Sequence, residues 1–257
     1  VEEGLLDFLN EVNPPHCCLY AEPIQLDLVA LAPYLVEVVP EVEAWLSVKA
    51  SPWGIYLTTY STMNVLRQHL RRYLQVLIPD ETKPVLLRFY DPRNIWDFLS
   101  VLSEWEKYLF VGPVDKITTL WNGEEKCKTF HEIKDKFPVD SGTRRKIMKV
   151  SRAQMDALIL IFEERYIESL AEKLKSWGEP PEKINKEIIG NTLQWLRHQG
   201  ITDDRSIRGL FYLFHSRECL TVDTIPEDFR RILGDGDDEG VFKAETLLIR
   251  ELGNVPL

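Results

Sequence analysis

"VLLRFYDPR", residues 85–93, joins a strand pattern directly to the start of a helix. Side chains alternate between the two faces of an extended strand, so Arg88 is expected to share a face with apolar neighbours and to be half or fully buried. Asp91 and Pro92 are typical of a helix start, with the carboxylate as the N-cap and the proline in the first helical position. A strand that leads directly into a helix indicates an α/β fold.

The rest of the N-terminal half repeats this alternation. Segments of helical periodicity separate three short runs that have the composition of strands, at residues 17–23, 53–59 and 84–90. A fourth run over residues 114–121 is expected at an edge of the sheet. The clearest helix spans residues 61–77, with Ser61 as its N-cap. Alternating strands and helices predict a mainly parallel sheet with flanking helices.

The C-terminal part of the chain is predicted to be helical throughout. Ser151 and Gln154 have the spacing of a capping box, and the helix that they start is expected to end at Trp177. Apolar residues keep a helical spacing in the segments that follow. We therefore expect an α/β lobe over residues 1–145 and an all-α lobe over residues 146–257.

Composition and charge limit the classes of protein that fit. The chain has 257 residues, of which 44% are hydrophobic, so it can bury the core of one large domain or of two lobes. A net charge of -10 disfavours nucleic acid as a partner, because phosphate binding needs clustered Lys and Arg. No apolar run is long enough to span a membrane, so no membrane partner is expected. Four cysteines without a CxxC pair fit reduced thiols in the cytoplasm.

Four charged side chains suggest an alternative function in catalysis. His69 and Arg71 lie beside the apolar face of their helix, and Arg93 follows the strand. Ligands of parallel sheets bind at the carboxyl ends of strands, so these residues and Arg88 could surround a phosphate in a phosphoryl-transfer or nuclease-like enzyme. The sequence has no glycine-rich phosphate loop, no GxSxG motif and no second carboxylate near Asp91. Charge clusters are often structural, and we therefore predict ion pairs, no catalytic residues and no enzyme activity.

Two parts of the chain have an incomplete metal-binding pattern. The acidic loop at residues 235–240 begins like a calcium loop, but Thr246 stands where a bidentate Glu is needed. A zinc site would need the Cys and His residues of the segments 16–17 and 127–131 to meet, and nothing in the sequence brings them together. No metal and no other cofactor are therefore predicted.

The helical lobe has the stronger signal for binding a protein. Apolar residues of the helix that ends at Trp177, among them Ile167, spread over about 180° of its circumference, wider than the ~100° stripe that one core needs. In a later helix, the apolar residues that are expected to face the core lie on one side, and Tyr212 lies on the opposite side beside Arg208 and His215. An aromatic residue beside arginine is typical of interface anchors. We predict a partner-binding set of Arg208, Tyr212, His215 and Ile167; a further helix that covers Tyr212 is the alternative.

Five segments occur together in a characteristic order, at residues 28–38, 53–59, 66–76, 86–93 and 110–114. In this order they resemble the adaptor, or effector-chaperone, family of bacterial type VI secretion systems (the Tap/Tec type), whose members carry domain of unknown function 4123. The resemblance extends over residues 17 to 121. Its two most specific elements are HLRR, with His69 and Arg71, and RFYDPR, with Arg88, Asp91, Pro92 and Arg93.

This resemblance implies a cytoplasmic protein without enzyme activity. Its partners would be a secreted effector protein and the VgrG spike protein, onto which the adaptor helps to load the effector. The resemblance assigns no catalytic role to the two elements, which agrees with a structural role for their residues. Members usually open with a further strand, which we expect upstream of Val1. A structural subunit of a larger assembly is a second alternative, because it would have the same sequence features.

Overall fold

The computed structural model describes residues 2–20, 29, 31–137, 147–236 and 238–255. The chain divides into two units, Val1–Ile159 and Leu160–Leu257. The predicted division between an α/β lobe and a helical lobe, at residues 145 and 146, lies outside the described residues and stays a prediction.

The first unit combines short strands with short helices. Its helices are α1 (Leu5–Val12), α2 (Pro40–Ser47), α3 (Met63–Arg71), α4 (Ile95–Val101), α5 (Glu104–Val111) and α6 (His131–Lys136). Its strands are β1 (His16–Cys18), β2 (Tyr34–Val36), β3 (Tyr56–Thr58), β4 (Gln75–Leu77), β5 (Val85–Leu86), β6 (Lys116–Trp121), β7 (Glu124–Thr129) and β8 (Met148–Lys149).

The strands form three small sheets in which most pairs are antiparallel. β1 pairs with β2, and β6 pairs with β3 on one side and β7 on the other, always antiparallel. β4 pairs antiparallel with β5 and parallel with β8, which is the single parallel pair among the described strands. The prediction of a mainly parallel sheet is therefore wrong, whereas the α/β composition of this unit is confirmed.

The dipeptide Asn122-Gly123 is the local cause of one antiparallel pair. Both residues have positive φ, 53° and 78°, which is the backbone of the two-residue hairpin turn that Asn and Gly favour. The turn joins β6 to β7 with Trp121 opposite Glu124. Because β3 pairs with β6 on its other side, β6 is the central strand of its sheet, and the predicted edge position is wrong.

The predicted helix over residues 61–77 is shorter in the structure. It spans Met63–Arg71, and Thr62 rather than Ser61 is its N-cap. Gln75–Leu77 form β4 instead, between β5 and β8. A short apolar run fits a strand as well as a helix, and here the hydrogen-bonding partners on both sides select the strand.

Aromatic rings form the centre of the core of the first unit. The ring of Phe110 lies 5.0 Å from Tyr73, 5.8 Å from Phe89 and 5.3 Å from Phe98, each time edge to face. Such pairs add about 0.5–1.5 kcal/mol each beyond the burial of their surface. Helices α4 and α5, the segment just after α3 and the chain after β5 thus pack around one cluster.

The second unit is helical, as predicted for the C-terminal region. The long helix α7 (Arg152–Ser176) begins in the first unit and continues into the second. It is followed by α8 (Lys186–His198), α9 (Asp204–Ser216), α10 (Glu227–Leu233) and α11 (Gly240–Leu252), with short 3₁₀ turns at Pro181–Lys183 and Val222–Thr224.

Two sequence signals identify these helices correctly. At the start of α7, Gln154 N donates to Ser151 Oγ at 3.2 Å and Ser151 N donates to Gln154 Oε1 at 2.9 Å, the reciprocal bonds of a capping box. In α9 the predicted core face is buried, with Ile207, Leu210, Phe211 and Phe214 all inside. Long periodic segments thus predict both the helix and the face that packs.

Candidate functional site

The RFYDPR element forms a compact ion-pair cluster around Asp91. The carboxylate accepts hydrogen bonds from Arg93 N at 3.0 Å, from Arg93 Nε at 2.9 Å and from Arg93 Nη2 at 2.7 Å. Burial raises the pKa of the Asp91 carboxyl, but these hydrogen bonds and the charges of Arg93 and Arg88 outweigh burial and lower the pKa. Asp91 is therefore a fixed anion held by Arg93.

Two expectations for this element are wrong. Arg88 is exposed, with 56% of its side chain accessible, and its Nη2 lies 3.8 Å from Asp91 Oδ2. β5 ends at Leu86, so the strand alternation that would have buried Arg88 stops before it. Asp91 is also not the N-cap of α4, because that helix begins at Ile95 after a turn.

His69 fixes α3 to the end of α5. Its Nε2 lies 2.7 Å from the carbonyl oxygen of Phe110, and the ring is buried. Gly112 has φ +49°, and a Cβ atom placed there would lie 2.1 Å from His69 Cε1. Only glycine fits so close to the imidazole with this backbone, so His69 and Gly112 form one packing unit.

A cleft of about 340 Å³ opens in the first unit, and the RFYDPR element lines one part of it. The lining includes Arg88, Asp91 and Arg93, but neither His69 nor Arg71. The four residues of the enzyme alternative are therefore not assembled around this cavity. Helices α1 and α2, strands β2 and β3 and the segment at residues 51–55 supply most of the wall.

Six aromatic side chains lie in the wall of the cleft. They come from positions far apart in the sequence, namely Phe8, Tyr34, Trp45, Trp53, Tyr56 and Tyr90. The rings of Phe8 and Trp45 stack at 4.8 Å, and those of Trp53 and Tyr56 meet edge to face at 5.1 Å. Sequence reasoning missed this site, because the aromatic residues come from separate helices, strands and connecting segments that only the tertiary fold brings together.

Three residues of the predicted partner-binding set share one side of α9. Tyr212 is 37% exposed, and its ring meets Trp177 edge to face at 5.2 Å. His215 Nδ1 lies 2.9 Å from Glu179 Oε2, and Arg208 Nη2 lies 2.7 Å from an oxygen of Asp204. Trp177 also belongs to this surface, although it was not in the predicted set. Its position just after the end of α7 was the one feature of the sequence that could have indicated it.

Ile167, the fourth member of the set, lies on α7. It is partly buried against the core of the second unit, and its Cδ1 closely approaches Gly190 of α8. The more exposed apolar side chains of this helix in the second unit are Leu160, at 62%, and Phe162, at 43%. The wide apolar band of α7 is thus partly packed and partly open.

The candidate metal ligands stay separate in the described part of the chain. No group of three or more His, Cys, Asp or Glu residues there could hold a metal ion. His16 Nδ1 lies 2.7 Å from the Pro14 carbonyl oxygen, and Cys127 is exposed on β7. In the acidic loop Asp237 lies outside the described residues, and Gly240 begins α11. No helix within the described ranges has the length and hydropathy of a membrane span.

The fold and these sites define a class: an α/β unit with an aromatic-lined cleft, followed in sequence by a helical unit with an outward aromatic surface. Residues 1–108 of the 257 match the model of the family described as Domain of unknown function (DUF4123). The resemblance seen in the sequence is thereby confirmed. DUF4123 is associated with adaptor proteins for type VI secretion effectors.

The cleft lies within the matched residues. Every residue that lines the cleft lies between Glu2 and Arg93, whereas the α9 surface lies beyond the matched residues. No curated protein and no solved structure matched the chain.

Proposed function

We propose that the protein is a non-enzymatic adaptor that binds a secreted type VI effector and helps to load it onto the VgrG spike protein. The observation that carries this proposal is the DUF4123 domain over residues 1–108. Binding proteins need accessible apolar surface that their own core does not use. The aromatic cleft of the first unit and the Tyr212 surface of the second unit both have this property.

The absence of catalysis is part of the proposal. The carboxylate of Asp91 is occupied by Arg93, and His69 bonds a backbone carbonyl away from the lining of the cleft. A general base must lie within hydrogen-bonding reach of the substrate proton that it removes. These positions favour structural roles for Asp91 and His69 over roles as an acid or a base.

A cytoplasmic location completes the proposal. All four cysteines, Cys17, Cys18, Cys127 and Cys219, are free thiols. Free thiols persist in reducing compartments, whereas secreted proteins tend to pair them. An adaptor that acts before secretion would work in such a compartment.

A deletion strain of the native host tests the adaptor function. We expect one effector to disappear from the culture medium when the gene is deleted, and to return when the wild-type gene is supplied. The purified protein should then form a complex with that effector, and the pair should bind VgrG. Unchanged secretion of every effector would contradict the proposal. Permanent incorporation into the assembled apparatus, in fixed stoichiometry, would favour the structural-subunit alternative.

The same complex tests whether the α9 surface binds the effector. Tyr212→Ala and Arg208→Glu should each weaken effector binding by about 2 kcal/mol if the residues are anchors. Tyr212→Ala should lower the stability by only about 1 kcal/mol, the contribution of its contact with Trp177. Tyr60→Ala is the matched control, because Tyr60 is 95% exposed in the first unit. Normal affinity in both α9 variants would exclude this surface as the effector site.

A further inference from the structure

We propose that the aromatic cleft of the first unit binds an extended apolar segment of a partner protein, and that Arg88 binds an Asp or Glu side chain of that segment. The inference rests on the proposed adaptor function in taking a protein as the partner. It adds the site of contact, which lies within the DUF4123 domain, and the chemistry of the segment that fits it.

The charges around the cleft favour an additional carboxylate beside Arg88. Asp91 is already bound by Arg93 at 2.9 and 2.7 Å, whereas Arg88 Nη2 is 3.8 Å from it, too far for a hydrogen bond. Glu2, the other acidic residue of the lining, pairs with Lys49 at 3.6 Å. Arg88 shares a side-chain hydrogen bond with Tyr90, another residue of the lining, but its side chain is still 56% exposed. It therefore presents an accessible guanidinium at the cleft, in a chain whose net charge is -10. Guanidinium groups bind carboxylates in a bidentate geometry.

The wall of the cleft favours apolar side chains in the bound segment. Phe8 and Trp45 stack, and Trp53 and Tyr56 hold each other edge to face. Aromatic residues that are fixed by such contacts lose little conformational entropy on binding, and they supply a large apolar contact area. A ligand with side chains of similar character removes this surface from water, which a purely polar ligand cannot do.

Two strands in the wall favour an extended chain over a small molecule. β2 pairs only with β1, and β3 pairs only with β6, among the strands of the described ranges. Each strand therefore has one edge that no other described strand occupies. An extended peptide can add to such an edge through main-chain hydrogen bonds, while alternate side chains enter adjacent pockets. Tyr34–Val36 and Tyr56 with Leu57 line the cleft, so residues of both strands are within reach of a ligand bound there.

Peptide selection tests this proposal without knowledge of the natural partner. A display library of random linear heptapeptides is selected on the full chain and, in parallel, on Arg88→Glu. On the wild-type protein we expect sequences that combine aromatic or aliphatic residues with Asp or Glu. On Arg88→Glu the acidic residues should be lost, and Lys or Arg should be enriched. Failure to select peptides, or selection of the same sequences on both proteins, would overturn the proposal.

Affinity measurements with one selected peptide then separate the two contributions. By fluorescence anisotropy, Arg88→Glu should weaken binding about tenfold, whereas Lys83→Glu, an equal charge change at an exposed residue outside the cleft, should not. Trp53→Ala should weaken binding at least tenfold, whereas Trp105→Ala, a tryptophan of the same unit outside the cleft, should leave it unchanged. Equal effects in a variant and its control would contradict the assignment.

These measurements are independent of the secretion experiment. In one outcome, selected peptides lose affinity in Arg88→Glu and Trp53→Ala but not in the control variants, while the deletion strain still secretes every effector. That combination would support the cleft as a binding site and refute the adaptor function. Loss of effector secretion in the deletion strain, together with failure to select any peptide, would support the adaptor function and refute the cleft as a binding site.

Discussion

Replacing Arg93 with alanine should destabilise the first unit much more than replacing Arg88, although both arginines belong to the RFYDPR element. Arg93 donates two side-chain hydrogen bonds to Asp91, at 2.9 and 2.7 Å. The side chain of Asp91 is only 2% exposed, whereas that of Arg93 is 46% exposed. Without Arg93, a buried carboxylate would lose both side-chain donors and could not regain them from water.

The magnitude follows from these two bonds. A hydrogen bond to a charged group contributes about 1.5–3 kcal/mol, and the lower end applies because Arg93 is partly solvated. We therefore expect Arg93→Ala to lower the free energy of unfolding by about 2–3 kcal/mol. Arg88 is 56% exposed and lies 3.8 Å from the carboxylate, so Arg88→Ala should cost less than about 1 kcal/mol. If Arg88 were buried, as its position in the sequence suggested, Arg88→Ala would instead lower the free energy of unfolding more than Arg93→Ala.

The pH dependence gives this prediction a second readout. The pKa of Asp91 is lowered in the folded protein, because the hydrogen bonds and charges of the arginines outweigh burial. A carboxyl group of this kind stabilises the fold above its unfolded pKa, about 3.9, and the stabilisation is lost as the pH falls through the lowered folded value. The difference between wild type and Arg93→Ala should therefore be complete at neutral pH and should shrink below about pH 4.

Urea unfolding followed by tryptophan fluorescence at neutral and acid pH measures these free energies. Arg88→Ala is the matched control, since it removes an equal charge from the same element. A loss below about 0.5 kcal/mol for Arg93→Ala, or equal losses in the two variants, would refute the assignment of Arg93 as the residue that holds Asp91. A difference that is unchanged in acid would refute the role of the ionised carboxylate.

Three further predictions follow from other contacts. Gly112→Ala should cost about 3 kcal/mol in thermal unfolding, because its Cβ would overlap His69, whereas Gly123→Ala, with positive φ but open space, should cost about 1 kcal/mol. Lys243→Met should cost about 2 kcal/mol, because the buried ammonium group donates to two backbone carbonyls, at 2.6 and 2.9 Å, that would lose this donor. The purified protein should not hydrolyse phosphodiester, ester, peptide or glycosidic test substrates; turnover that His69→Ala abolishes while the fold stays intact would contradict the adaptor proposal.

The helical part of the chain could be predicted because its signals are local. Ser151 and Gln154 specify the start of α7 with side-chain bonds to adjacent turns, and Asp203 caps α9 by accepting from Ser206 N at 2.8 Å. The core face of α9 repeats over several turns, so the periodicity identifies it without knowledge of the neighbouring helices. Such features depend on residues three or four positions apart and can be read from sequence.

The sheets of the first unit could not be predicted in the same way. Its strands have 2 to 6 residues, too few to establish a period. Each strand pairs with segments that are distant in the sequence. Gln75–Leu77, for example, forms a strand because it pairs with β5 on one side and β8 on the other. One signal was available, because Asn122-Gly123 between two strand-like runs predicts a hairpin and hence an antiparallel pair. The aromatic cleft has no local signature, since its wall joins residues from Glu2 to Arg93.

The two arginines of the RFYDPR element have separable roles. Both are exposed to a similar extent, 56% for Arg88 and 46% for Arg93, so exposure alone does not distinguish them. Their contacts with Asp91 do, because Arg93 donates short hydrogen bonds to both carboxylate oxygens while Arg88 remains beyond hydrogen-bonding distance. Arg93 is thus the main partner of Asp91, whereas Arg88 adds only its charge there, bonds Tyr90 and keeps an exposed guanidinium for the proposed ligand of the cleft. Arg93→Ala should therefore lower stability at every ligand concentration, whereas Arg88→Ala should weaken the binding of acidic peptides and cost less than about 1 kcal/mol in stability; the reverse pattern would show that the roles are exchanged.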